Sequence, residues 1–170
     1  QALRLLLVED SSDDAELLLL ELRRQKFQVA AFQAQTRAEV ARILADEAID
    51  LVLTDHAMPE LSSLDVIELS LEVCPCIVVS GAVGEETAVG LLRRGAVDYV
   101  NKGNLPRLGP AVRRALDEAR NRRARAQAEE ELRRAHAELE ARVERRTAAL
   151  QESNRRLRQE LTLAHVFYWR

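Results

Sequence analysis

The sequence has little with which to cross-link or punctuate itself. Its 170 residues include 2 cysteines, 6 glycines, 4 prolines, 1 tryptophan and 1 methionine, and aromatic residues make up 4%. Cys74 and Cys76 flank Pro75, too close for a disulfide and too few for a zinc centre, so both read as structural. No apolar run approaches the roughly 18 residues that a membrane span needs, and no charged-then-apolar leader opens the chain. A cytoplasmic protein with no membrane partner is the expectation. Glycine and proline are absent from residue 111 to residue 170, and no aromatic residue occurs between Lys102 and Phe167.

What is present is unevenly divided. Hydrophobic residues at 47% suffice for one core. The net charge of -3 combines 10 basic and 18 acidic residues over 1–110 with 15 basic and 10 acidic residues over 111–170. The two parts are different objects.

Residues 3–8 (LRLLLV) are apolar apart from Arg4 and predict a buried parallel strand, with Ser11 and Ser12 placed to cap a helix carrying Leu17, Leu18, Leu20 and Leu22. A second strand is expected over 27–32 and a second helix from Thr36. A third strand, Leu51-Val52-Leu53, ends in Thr54 and Asp55, and Met58-Pro59 then turns the chain away. A short helix over 64–71, a strand over 76–79 ending in Ser80-Gly81, a helix over 85–94 closed by Gly95, and a strand at Tyr99-Val100 complete the pattern. Five strands alternating with helices predict an α/β fold: a parallel doubly wound sheet over residues 1–108.

That order sets Glu9, Asp10, Asp55, Ser80 and Lys102 on one rim, where ligands bind in open α/β sheets. Three carboxylates without a cation repel one another, and their hard oxygens suit Mg²⁺. Lys102 is one of only two lysines in the chain. Its compact ammonium suits a phosphoryl oxygen opposite the metal.

The acidic pair Glu9-Asp10, residues 54–59 (TDHAMP), residues 78–81 (VVSG) and residues 95–102 (GAVDYVNK) together resemble the receiver domain of two-component response regulators. The resemblance implies a flavodoxin-like fold, with Asp55 as phosphoacceptor. Asp10, Asp55 and the backbone carbonyl of Ala57 would bind Mg²⁺, with Glu9 acting through a water. Ser80 would bond the phosphoryl group, Lys102 would pair with it, and Tyr99 would be the rotating aromatic of the switch. The phosphodonor would be a histidine kinase. Gly103 departs from the pattern, standing where the family usually has proline.

Residues 109–170 predict one helix roughly 90 Å long at 1.5 Å per residue. Leu132, His136, Leu139 and Val143 are spaced 4, 3 and 4. Thr147, Leu150, Asn154, Leu157, Leu161 and Ala164 continue the seam after a stutter at Val143. An asparagine at such a position favours a parallel pair in fixed register, so a coiled-coil homodimer is expected. Acidic residues interleave the arginines and argue against nucleic acid. Phe167, Tyr168 and Trp169 read either as the entry to a further domain or as a frayed end.

The expectation is therefore a phosphorylatable receiver signalling through a dimeric helix, its output domain absent or truncated. No separate enzyme domain is expected, only the receiver's own phosphoryl transfer and autodephosphorylation. Two alternatives stand beside it. One is a pseudo-receiver scaffold that never accepts phosphate. The other is the regulatory half of a longer chain with a cyclase, phosphatase or kinase domain after Arg170.

Overall fold

The computed structural model describes residues 2–81 and 84–167; side chains are described as far as residue 158, that of residue 85 apart. The elements run β1 (Leu3–Val8), α1 (Ser12–Arg24), β2 (Val29–Ala34), α2 (Arg37–Asp46), β3 (Leu51–Asp55), α3 (Ser63–Ser70), β4 (Cys76–Ser80), α4 (Glu85–Arg93) and β5 (Asp98–Asn101). A 3-10 helix, Lys102–Arg107, then leads into α5 (Leu108–Phe167). The five strands form one parallel sheet in the order β2-β1-β3-β4-β5.

Period-two alternation along β1 feeds two cores. Leu5 and Leu7 pack with Leu18 and Leu22 of α1 and with Leu108, Val112 and Ala115 of α5. Leu6 and Val8 pack on the other face with Val40 and Ile43 of α2 and Val66 and Ile67 of α3. Every residue of β3 and β4 is buried, as expected of interior parallel strands.

Two expectations are adjusted. The second strand starts at Val29, and Phe27 packs against the first core beneath the Arg113 guanidinium, 5.3 Å away. On α1 only Ala15, Leu18 and Leu22 are buried, while Leu17 and Leu20 are 46% and 61% exposed. The helical period places residues 15, 18 and 22 on one face and 17 and 20 on the opposite one. Compactness divides the chain after Asn121, and Leu108, Ala111, Val112 and Ala115 in the first turns of α5 belong to the first core.

The helix ends follow local chemistry. Ser11 and Thr36 cap α1 and α2 through their hydroxyls, Thr36 in a capping box with Glu39. Gly95 ends α4 at φ 113°, where a Cβ would sit 2.5 Å from Leu71 Cδ1. Lys26 takes the equivalent place after α1 at φ 69°, donating its N–H to the Arg23 carbonyl. No helix among the described residues is long and apolar enough to cross a membrane.

In the second unit, residues 122–170, α5 leaves its large apolar residues uncovered: Leu132, Leu139, Val143, Leu150 and Leu157 are each more than half exposed. Asn154 is exposed beside them. The side chains of Leu161 and Ala164, and all of Tyr168 and Trp169, lie outside the described residues.

Candidate functional site

Parallel pairing aligns the C-terminal ends of β1, β3, β4 and β5, with Val8 opposite Thr54, Asp55 opposite Val79, and Ser80 opposite Asn101. The residues leaving those ends therefore share one rim. Glu9 and Asp55, 5% and 8% exposed, are sunk into it.

Lys102 gathers the site. It leaves β5 at the start of the 3-10 helix, where Asn101 Oδ1 accepts the Gly103 N–H at 2.7 Å. A proline at position 103 could not donate that bond. The Lys102 ammonium donates to Glu9 Oε2 at 2.8 Å, to Asp55 Oδ2 at 2.8 Å and to Asp14 Oδ2. On the opposite side, Asp55 Oδ1 accepts the backbone N–H groups of His56 and Ala57, the latter at 3.2 Å. Both oxygens of Asp55 are thus oriented. His56 Nδ1 lies 2.8 Å from Ser63 Oγ, tying the loop after β3 to the start of α3.

Three carboxylates against one ammonium leave negative charge uncompensated, and the titration behaviour reflects it. Burial pushes the Glu9 carboxyl above its usual range, only partly offset by Lys102 and by the Ser11 N–H, while the charge of Asp55 pushes the same way. Burial alone would depress Lys102, but its bonds to Asp14, Asp55 and Glu9 outweigh that and hold it well above its ordinary value. Both partners of the Glu9–Lys102 pair move upward because Lys102 divides its charge among three anions, whereas Glu9 is desolvated with only a share of it. Lys102 is a fixed cation at neutral pH, fit to neutralise and not to donate a proton.

Carboxylate oxygens of Glu9, Asp14 and Asp55 lie within 4.8 Å of one another. An excess of hard oxygen donors at that separation fits Mg²⁺. Asp14 is the residue that sequence reasoning missed. It stands in the first turn of α1, its N–H capped by Ser11 Oγ, and this turn aims its carboxylate at the rim. The capping serine followed three residues later by an aspartate was the available signal. Asp10, next to Glu9 in the chain, is exposed and is not one of these three.

Ser80, 2% exposed, ends β4. The half-buried Tyr99 packs against the second core, and its hydroxyl donates to the Ser80 carbonyl at 3.5 Å. The structure therefore unites Glu9, Asp55 and Lys102, joins Ser80 to Tyr99, and brings Ala57 in through its N–H.

A family model described as response regulator receiver domain matches residues 5–113. The response regulator protein PilR of Pseudomonas aeruginosa is 33% identical over 115 residues, covering 65% of this chain and 25% of that protein. The nitrogen assimilation regulatory protein NtrX of Azorhizobium caulinodans is 30% identical over 128 residues, covering 70% of this chain and 27% of that protein. The chain thus spans about a quarter of the length of these curated relatives. For the fold, the signal receiver domain of a LuxO repressor protein from Vibrio parahaemolyticus superposes with a TM-score of 0.64 at 24% identity. That match covers 73% of this chain and 97% of the other. With more than half of its length matched by the family model, this chain belongs to the response regulator receiver domain family of two-component signalling.

Proposed function

We propose that Asp55 accepts a phosphoryl group from the phosphohistidine of a histidine kinase and that the tail passes the resulting change to a second copy of the chain. The observation that carries this reading is the state of Asp55. It is a buried carboxylate at the end of β3, with one oxygen on two backbone N–H groups and the other on Lys102.

An Asp55 oxygen attacks phosphorus and the P–N bond of the phosphohistidine breaks, its electrons returning to the ring nitrogen. Water later attacks phosphorus, the P–O bond to Asp55 breaks, and phosphate leaves. Such transfers need alignment and neutralised oxygens more than they need a strong base. Lys102 supplies one fixed positive charge. Bound Mg²⁺ would supply further neutralisation, held by Asp10, Asp55 and the Ala57 carbonyl, with Glu9 acting through water. The new anion of about -2 charge draws the Ser80 hydroxyl toward it, and Tyr99 moves with the Ser80 loop to which it is bonded. The tail pairs in parallel through Leu132, Leu139, Val143, Leu150, Asn154, Leu157 and Leu161.

Incubation with acetyl phosphate and Mg²⁺ tests the reading by intact mass. One phosphoryl increment is expected, lost in Asp55→Asn. No increment, under conditions that label another receiver domain, would overturn it in favour of a scaffold.

A further inference from the structure

Beyond residue 120 the tail is built on an eleven-residue repeat. Starting at Asn121, Leu132, Val143 and Asn154, the four units read NRRARAQAEEE, LRRAHAELEAR, VERRTAALQES and NRRLRQELTLA. The third position is arginine in every unit: Arg123, Arg134, Arg145 and Arg156. The eighth is Ala128, Leu139, Leu150 and Leu161.

The side chains repeat as well as the letters. Three of the four third-position arginines reach back four residues through Nε: Arg134 to Glu130 Oε1 at 2.7 Å, Arg145 to the Ala141 carbonyl at 3.1 Å, and Arg156 to Glu152 Oε1 at 2.9 Å. Glu130 and Glu152 also hold Arg133 and Arg155.

At about 100° per residue, the third position falls about 200° from the first, on the far side of the helix. The first and eighth positions from Leu132 to Leu161 stay within about 60° of arc over roughly 40 Å. The arginines are thus tied down along one face. The opposite face carries an uncovered stripe in which Leu132, Leu139, Val143 and Leu150 are 71%, 59%, 56% and 60% exposed.

We propose that this stripe is covered by the same stripe of a second copy, parallel and in register, in a nearly straight pair with a faint right-handed wind. This rests on the reading of the tail as the site of self-association and specifies its geometry. Eleven residues in three turns give 3.67 residues per turn, slightly more than the 3.6 of the helix, whereas a seven-residue seam winds left-handed. Register follows from Asn154. In a parallel pair it meets its own copy, amide to amide. In an antiparallel pair centred on the stripe it faces Leu139 and is desolvated without a partner.

Variants with one added cysteine each, with the buried Cys74 and Cys76 retained and the parent as control, test this by oxidative cross-linking alongside sedimentation. Strong cross-linking is expected at Leu132, Leu139, Val143, Leu150, Asn154 and Leu157, against background at Arg134, Arg145 and Ser153. A seven-residue seam continued from Leu132 and Leu139 runs through Ser153, so cross-linking at Ser153 above Asn154 overturns the repeat while leaving the dimer standing. Cross-linking confined to the middle of the stripe and absent at Leu132 and Leu157 marks an antiparallel pair and overturns the register. A monomer in sedimentation overturns both the repeat pairing and the dimer, without touching Asp55 labelling. Asn154→Leu is expected to tighten association and to admit antiparallel pairs, read as new disulfides between Val143→Cys and Leu150→Cys chains.

Discussion

Leucine meets opposite fates in the two units of this chain. Leu5, Leu51 and Leu53 are 0% exposed, whereas Leu132, Leu139 and Leu150 remain 71%, 59% and 60% exposed. In the first unit, side chains that alternate in direction along parallel strands place each leucine between the sheet and a helix of the same chain. In the second, the described stripe of a single helix stands exposed, and the ion pairs of Glu130 and Glu152 with the neighbouring arginines all lie within that helix. A core completes itself within one unit; a stripe on a lone helix stays open.

That contrast can be broken most directly at the rim. Asp55→Asn should reduce acetyl phosphate labelling to background while leaving sedimentation of the unlabelled protein unchanged. If association also fails, the two units are not separable as described. Leu53→Ala should cost about 2–5 kcal/mol in denaturant unfolding, because it opens a cavity at a fully buried site. Leu139→Ala should change the unfolding of the first unit by less than about 0.5 kcal/mol. It should instead weaken self-association, seen as a shift to slower sedimentation.

Removing the shared cation comes next. Lys102→Met leaves Glu9, Asp14 and Asp55 without their ammonium, and about 3 kcal/mol of stability should go with it. Millimolar Mg²⁺ should restore much of the loss in thermal unfolding; no effect of Mg²⁺ would count against a cation site at these carboxylates. The sign of the pH dependence follows from the raised groups. Lys102 contributes stability that is fully present below its ordinary value and lost only as the pH climbs through its raised one, so its contribution is complete at neutral pH. Glu9 is also raised, so its contribution is present below the ordinary glutamate range and lost as the pH rises through the shifted value. Glu9→Gln should therefore flatten the acid side of the stability profile in metal-free buffer.

The smallest effect expected is at the end of α1. Lys26 holds φ 69°, a conformation that costs an L side chain about 1 kcal/mol, and Lys26→Gly should recover roughly 0.5–1 kcal/mol of stability. The equivalent glycine after α4, Gly95, should resist replacement by any side chain, because its φ of 113° is one that L residues rarely adopt and an added Cβ would also displace the end of Leu71.

Much of the first unit was legible from residue order. The apolar runs ending in Asp55, Ser80 and Lys102 marked three strands and their common rim. The second strand was harder to delimit, since β2 is only partly buried and Phe27 belongs to the core without belonging to the sheet. Asp14 was missed because its place in the site depends on how the first turn of α1 leaves β1, a direction that no spacing encodes. The start of α5 is ambiguous in sequence for a related reason. Leu108, Ala111, Val112 and Ala115 lie on the same continuous helix as the tail, and only packing against β1, β3 and α1 distinguishes them.

By itself, the order of residues determined the alternation of strands and helices, the acidic rim and the unbroken tail helix. Those follow from hydrophobic period, capping and the absence of glycine and proline, all of which act over a few residues. Tertiary structure alone decided that Lys102 is shared among Glu9, Asp14 and Asp55, which lie 93, 88 and 47 residues away along the chain. Charges so distant in sequence meet only where strands of one sheet end together, and their balance depends on the water excluded there.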